Sequence, residues 1–134
     1  MSNDKSASGF PGGEKPEVDF PEGEPPSDLE VQDLWVGEGP EAKAGDTVSV
    51  HYVGVSFSTG EEFDASWNRG KPLQFQLGAG QVIPGWDRGV QGMRVGGRRR
   101  LTIPADLAYG AQGAGGGRIK PHETLIFVCD LVSV

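Results

Sequence analysis

Residues 82–93 read VIPGWDRGVQGM, and this stretch decides the fold because it is the one segment with a clear helical pattern. Four of its large apolar residues recur at spacings of four, four and three, which places them on one helix face: Val82, Trp86, Val90 and Met93. Pro84 suits the first position of a helix, where an N–H is not needed. Gly89 and Gly92 lower the helix propensity. We therefore expect one short helix, from Pro84 to about Met93, that depends on tertiary packing.

The chain on both sides of this helix reads as β-strands. Apolar and polar residues alternate in residues 47–55, so Val48, Val50 and Tyr52 share one face. A turn signal at residues 58–61 predicts that this run continues into a hairpin. Residues 57–64 close this hairpin, and the other predicted strands cover residues 29–36, 73–77, 98–103 and 125–134. The sequence therefore predicts an α+β fold in which several antiparallel strands cover one short amphipathic helix.

The charge of the chain is concentrated near its start. Residues 1–46 hold 12 Asp and Glu against 3 Lys, whereas residues 47–134 hold 7 acidic and 9 basic residues. Neither part has the basic excess of a general nucleic-acid binder. Residues 1–28 contain five Pro, four Gly and seven acids, which predicts a disordered leader that is either a passive solubilising tail or a docking segment for a partner. The folded domain is predicted over residues 29–134, with its motifs within residues 46–134.

The cellular compartment is predicted from three features that the sequence lacks: a second cysteine, a signal peptide and a membrane span. Cys129 is the single cysteine, so no internal disulfide can form and an oxidising compartment is not required. Residues 1–13 lack the apolar core of a signal peptide. No apolar run approaches the roughly 18 residues that a membrane span needs. We expect a cytoplasmic protein without a membrane partner.

Covalent catalysis and metal binding lack the residues that they need. His51 and His122 stand outside any nucleophile motif, and one cysteine with two dispersed histidines does not form a zinc site. We expect no metal and no cofactor. The Gly-rich residues 113–117 lack the Lys and Ser/Thr of a phosphate-binding loop, so a flexible surface loop is the better interpretation. Alternation divides Arg98–Arg100 between two faces, which predicts a solvated strand start rather than an RNA-binding patch.

The aromatic residues carry more information. Six of them fall in separate segments of the chain: Tyr52, Phe63, Phe75, Trp86, Tyr109 and Phe127. If the sheet covers the helix, several of these rings converge, and they form either a plain hydrophobic core or an apolar pocket with a few polar groups. Tyrosine hydroxyls need partners when they are buried. Asp64 is the obvious candidate partner.

Five segments of the chain resemble the FKBP-type peptidyl-prolyl cis/trans isomerase family in sequence, order and spacing. They are Val50–Gly54, Gly60–Ser66, Val82–Val90, Leu107–Ala111 and Leu125–Phe127. The similarity spans about residues 46–134. It implies an antiparallel β-sheet curled around one short α-helix, and it favours the pocket over the plain core.

The resemblance also implies roles for individual residues. The aromatic residues would enclose the pocket, with Trp86 as the floor and Tyr52, Phe63, Tyr109 and Phe127 as the walls. Val82 and Ile83 would line the entrance, where the Ile83 backbone N–H would meet a substrate carbonyl. Asp64 would lie at the pocket edge, linked to Tyr52 and Arg69.

The resemblance implies substrate or macrolide binding by Leu73, Val82, Ile83, Arg69 and Ile119, and three positions depart from the family pattern. Leu73 stands where the family commonly has an aromatic wall residue, which would open the pocket slightly. Gln81 stands where an acid is frequent. Ile119 would come from the loop before the last strand, and Arg118 stands where an apolar residue often helps to cover the site. The loop at residues 110–121 therefore leaves macrolide affinity and substrate preference open.

The resemblance implies a cofactor-independent isomerase that accelerates rotation about X-Pro bonds during protein folding. Its partners would be proline-containing peptides and folding polypeptides, and a macrolide of the rapamycin type would bind in the same pocket. The alternative is a non-catalytic module that uses this pocket to hold a proline-containing segment or a partner protein. A monomer is the default expectation.

Overall fold

The computed structural model describes residues 15–18 and 23–134 of the chain. The predicted leader, residues 1–28, lies partly outside these described residues. Six strands and one α-helix follow in chain order: β1 Glu30–Trp35, β2 Thr47–Ser56, β3 Glu62–Ala65, β4 Leu73–Gln76, α1 Pro84–Gly89, β5 Arg98–Ile103 and β6 Leu125–Ser133. Every strand pair is antiparallel. The structure thus confirms the predicted α+β fold, with one antiparallel sheet and one short helix.

The long strand β2 organises the sheet. The strand order is β1-β5-β6-β2-β3, and β4 also pairs with β2. One edge of β2 pairs with β6 from Ser49 to Ser56. Its other edge is divided, because Val53–Val55 pairs with β3 and Thr47–Val50 pairs with β4. The short chain between β3 and β4 therefore lies beside the middle of β2.

The two faces of β2 bury different residues, as the alternation predicts. Val48, Val50 and Tyr52 belong to the main core, which also contains Trp86 of α1; we call this the inner face. Val53 and Val55 point to the opposite, outer face, where a smaller cluster also buries Ala65 and Ile126. A strand that is buried on both faces needs cover on both, and α1 covers only the inner one.

Helix α1 is shorter than predicted. It ends at Gly89, and residues 90–93 form a turn in which Gly92 has a positive φ of 91°. The predicted end near Met93 is therefore wrong, although Val90 and Met93 are both buried as expected. The glycines that weaken the helix let it approach the sheet, because a Cβ on Gly89 would lie 2.7 Å from a methyl group of Leu101 in β5.

The three arginines that open β5 alternate as predicted, but the expectation of a solvated strand start is wrong for Arg98. Arg98 is 5 % exposed, and its guanidinium donates from Nε to Asp130 Oδ1 at 2.5 Å and from Nη2 to Oδ2 at 2.9 Å. Arg99 points the other way and donates to Asp33 and to the Gly89 carbonyl. A buried arginine is stable here because a buried carboxylate meets it in a bidentate geometry.

Candidate functional site

An apolar cavity of about 170 Å³ lies between the inner face of the sheet and α1. Four strands, α1 and two loops supply its lining residues: Tyr52, Phe63, Asp64, Leu73, Gln81, Val82, Ile83, Trp86, Tyr109 and Phe127. Pockets for drug-sized ligands commonly have volumes of about 300–1,000 Å³. This cavity therefore suits one ring-sized group, and the rest of any larger ligand would lie across its rim.

Aromatic rings packed edge to face form the base of the cavity. The Trp86 ring, which is almost completely buried, lies 4.9 Å from the Tyr52 ring and 5.3 Å from the Phe127 ring, with interplanar angles of 82° and 88°. Phe63 meets Phe127 at 5.6 Å and 90°. Perpendicular contacts of this kind are the favourable geometry for aromatic pairs. The base is therefore an apolar surface whose rings hold one another in place.

A glycine in β2 leaves the space that two of these rings occupy. A Cβ on Gly54 would lie 2.6 Å from Phe63 and 2.7 Å from Phe127, which is closer than real Cβ contacts allow. The bare backbone at this position lets both phenylalanine rings reach the cavity. The glycine at position 54, which ends the Val50–Gly54 segment quoted above, is therefore required sterically by the two phenylalanine rings of the site.

Three polar side chains form a closed network at the cavity rim. The Tyr52 hydroxyl donates to Asp64 Oδ2 at 2.5 Å. Arg69 donates from Nη1 to Asp64 Oδ1 and from Nη2 to the Tyr52 hydroxyl oxygen, both at 2.7 Å. Each member contacts the other two, so the carboxylate and the phenol have fixed orientations beside the apolar base.

The surroundings of Tyr52 and Asp64 move both pKa values further from neutral pH. Burial, together with the hydrogen bond and charge of Asp64, raises the pKa of Tyr52 to about 12. Burial also pushes the pKa of Asp64 upward, but the hydrogen bonds from Tyr52 and Arg69 and the Arg69 charge outweigh it and lower that pKa below its ordinary value. Burial, and then the Asp64 charge, raises the pKa of Tyr109. None of these three groups is tuned to exchange a proton near pH 7.

Two residues predicted for the site do not line the cavity. Ile119 is buried in the main core, and its backbone pairs with Ala114. Arg69 acts on the cavity only through Asp64 and Tyr52. The remaining predicted site residues all line it: Tyr52, Phe63, Asp64, Leu73, Val82, Ile83, Trp86, Tyr109 and Phe127.

Two residues outside the predicted site shape the entrance: Gln81, noted above only as a departure from the family pattern, and Asp87, which was missed. Gln81 lines the cavity, and its side-chain oxygen accepts a hydrogen bond from the Gln76 backbone at 2.9 Å. Asp87 accepts one hydrogen bond from the Gly78 N–H and one from the Gly80 N–H, both at 2.9 Å. Asp87 thereby ties the loop before α1 to the helix. The sequence did contain a signal for this role of Asp87, because its carboxylate directly follows Trp86 and lies close to two glycines along the chain.

A larger polar groove adjoins the cavity at Phe63. It has a volume of about 550 Å³ and lies between the β2–β3 turn and the loop before β6. Arg118 lines this groove rather than the apolar cavity, together with Lys120 and Glu123. The groove is open and polar, so it offers a path for a chain that leaves the cavity rather than a site for a ring.

Neither a candidate metal cluster nor a helix that could span a membrane occurs in the described part of the chain. No group of three or more His, Cys, Asp or Glu residues there could hold a metal ion. Within residues 15–18 and 23–134, no helix is long and apolar enough to cross a membrane.

The fold and this cavity agree with the comparison to known families. The family model described as "FKBP-type peptidyl-prolyl cis-trans isomerase" matches residues 39–132. The chain therefore belongs to the FKBP-type peptidyl-prolyl cis-trans isomerase family.

Individual relatives cover nearly the same region. The "FK506-binding protein" of Streptomyces anulatus is 79% identical over 121 residues, which is 90% of this chain and 98% of that protein. The "Probable FK506-binding protein" of Corynebacterium glutamicum is 53% identical over 120 residues, again 90% and 98% of the two chains. The crystal structure of AtFKBP13 superposes with a TM-score of 0.73 at 45% identity and covers 81% of this chain and 94% of that one.

Proposed function

We propose that the protein is a cofactor-independent peptidyl-prolyl isomerase that accelerates rotation about X-Pro bonds in proline-containing peptides and folding polypeptides. The observation that carries this proposal is the apolar cavity with a base of interlocked aromatic rings and no group that titrates near neutral pH. We further propose that residues 29–134 form the isomerase domain and that it works as a cytoplasmic monomer.

The reaction fits a site without a proton-transfer group. Rotation about a peptide bond breaks no covalent bond, and its barrier of about 18–20 kcal/mol comes from amide resonance. For X-Pro bonds the uncatalysed step takes tens to hundreds of seconds. A site accelerates it by binding the twisted amide more tightly than the planar one, and neither an acid nor a nucleophile is required.

Apolar enclosure is the first part of the proposed mechanism. The prolyl ring would rest on Trp86, with Tyr52, Phe63 and Phe127 around it. The planar amide is charge-separated and loses more solvation in such a site than the twisted amide does, so removing water favours rotation. The cavity volume of about 170 Å³ suits a single prolyl ring in this role.

Placed donors at the rim are the second part. The residues Val82 and Ile83 line the cavity mouth directly before α1. Among the described residues, none accepts a hydrogen bond from the Ile83 backbone N–H, so this donor is available to a substrate carbonyl. Tyr109 is 39% exposed at the same rim and offers a hydroxyl. Fixed donors that meet the rotated carbonyl would stabilise the transition state.

The same pocket is proposed to bind a macrolide of the rapamycin type. The relatives in Streptomyces and Corynebacterium are named for binding FK506, which supports a small-molecule site in this family. Leu73 is 38% exposed at the cavity wall. Its side chain is smaller than an aromatic ring, so it gives a ligand less apolar contact.

The direct test is the cis-to-trans isomerisation rate of a short Leu-Pro or Phe-Pro peptide, followed with and without the macrolide. We expect acceleration that the macrolide abolishes. Acceleration without inhibition would support the isomerase and reject the macrolide proposal. The departures from the family pattern at Leu73 and Arg118 would then be the first explanation for the missing inhibition. Well-folded protein that leaves the rate unchanged would reject the isomerase and favour the non-catalytic binding module.

A further inference from the structure

Residues 15–18 lie against the outer face of the sheet rather than apart from the domain. Pro16 and Val18 are partly buried, whereas Lys15 and Glu17 are exposed, so an extended segment turns one side toward the sheet. Val18 packs against the outer-face cluster, together with Phe57 and Trp67. Phe57 also lines a cavity of about 390 Å³ with Gly23 and Pro25. Chain that precedes β1 thus meets the outer face at two places.

Lys15 anchors this segment through polar contacts. Its ammonium lies 2.9 Å from Glu62 Oε1 and donates to Asn68 Oδ1 at 3.0 Å. Asn68 in turn donates from Nδ2 to Glu62 Oε2 at 3.1 Å. These three side chains join the start of β3 to the 3₁₀ turn at Ser66–Arg69.

The two elements that Lys15 joins also carry the polar network of the pocket. Asp64 lies in β3 two residues after Glu62, and Arg69 directly follows Asn68. The contact of Asn68 with Glu62 and the contact of Arg69 with Asp64 are therefore two parallel links between the same strand and the same turn. The buried side of the turn is held to β2, because Ser66 Oγ accepts a hydrogen bond from the Tyr52 N–H at 2.7 Å and the Trp67 ring stacks on His51. The Asn68 and Arg69 contacts are the links that join its exposed side to β3.

We propose that residues 15–18 form an intramolecular strap and that Lys15 is a positioning residue, which fixes Asp64 and Arg69 relative to Tyr52 from the opposite face of the sheet. This proposal deepens the proposed isomerase function and rests on it for the effect on catalysis. The predicted leader is then neither a purely passive tail nor only a segment for an outside partner, because part of it completes the domain. Both Lys15 and Glu62 are partly exposed, so salt will weaken their contact.

The test uses the full chain with Lys15→Met, Lys15→Arg and a matched control, Lys43→Met. Lys43 is an exposed lysine whose side chain makes no contact with β3 or the 3₁₀ turn. The first readout is the NMR signal of the Arg69 guanidinium Nη–H groups, which donate to Asp64 and to Tyr52. The second is kcat/KM for a Phe-Pro peptide. The third is the salt dependence of the Arg69 signal.

We expect Lys15→Met to shift the Arg69 signal and to lower kcat/KM roughly two- to threefold, as suits a partly exposed ion pair. Lys15→Arg should restore both values, and Lys43→Met should change neither. In the wild type, added salt should move the Arg69 signal toward its position in Lys15→Met.

An unchanged Arg69 signal in Lys15→Met would overturn the strap, whatever happens to thermal stability. If the wild type does not catalyse isomerisation, the proposed function fails. The Arg69 signal still decides the strap in that case, because it does not depend on turnover.

Discussion

Two arginine–aspartate pairs in this domain have similarly short contacts and very different surroundings. Arg69 meets Asp64 at 2.7 Å on the rim of the pocket, where the two side chains are 49% and 41% exposed. Arg98 meets Asp130 at 2.5 Å on the sheet, where they are 6% and 0% exposed. Arg98 makes two bonds to the Asp130 carboxylate, whereas Arg69 divides its two bonds between Asp64 and Tyr52. Burial and hydrogen-bond geometry together therefore separate what each pair does for the protein.

Because the rim pair is exposed, the fold does not depend on it. Because the sheet pair is buried, the fold requires both of its members. An exposed pair gains little free energy, because water and salt screen it. It can therefore orient a tyrosine hydroxyl without determining the fold. A buried pair has lost its hydration, so removing one partner leaves an uncompensated charge in the interior. The polar groups at the pocket rim remain in contact with solvent, whereas those of the sheet pair do not.

The largest expected effect is on stability at the buried pair. We expect Asp130→Ala to lower the free energy of unfolding by about 3–5 kcal/mol, because Arg98 would remain buried without its carboxylate. Asp64→Ala should lower it by only about 0.2–1 kcal/mol, as is typical of exposed pairs. Urea denaturation of both variants measures the difference. Similar losses in the two variants would show that burial does not separate the pairs.

The smallest expected effect is that of pH on catalysis. Ionised Asp64 stabilises the network above its unfolded pKa of about 4, and this contribution disappears as the pH falls through the lower folded value. Neutral Tyr52 stabilises it below about pH 10, and this contribution disappears as the pH rises through about 12. We therefore expect kcat/KM for a peptide without titratable groups to be constant from about pH 5 to 9. A bell-shaped profile inside this range would require a proton-transfer group.

The sequence could predict those features that depend on local pattern or on recognised motifs. Alternation located the strands and both faces of β2, and the spacing around Trp86 located the helix. The family resemblance, which the family match confirms, brought together the residues that line the cavity. Gly89 and Gly92 warned that the helix was weak, but its end depends on the turn that leads into β5, which no helical pattern encodes.

Contacts between distant residues could not be predicted in the same way. Arg98 appeared solvated because its partner Asp130 lies 32 residues later in the chain. Lys15 appeared to belong to a passive leader because Glu62 lies 47 residues away and nothing in the local composition marks the pair. For Arg98 alternation gave the direction of the side chain but not what it meets there, and for Lys15 the composition gave neither. Charged residues are the most affected, because their burial depends entirely on a partner.

The most direct test of the account is kcat/KM of Phe63→Ala and Asp64→Asn, measured side by side on the same Phe-Pro peptide after circular dichroism has shown that both are folded. We expect kcat/KM to fall by at least about tenfold in Phe63→Ala and by less than about fivefold in Asp64→Asn, because apolar enclosure rather than the rim network provides most of the acceleration. An equal or larger loss in Asp64→Asn would contradict it and assign the catalysis to electrostatics.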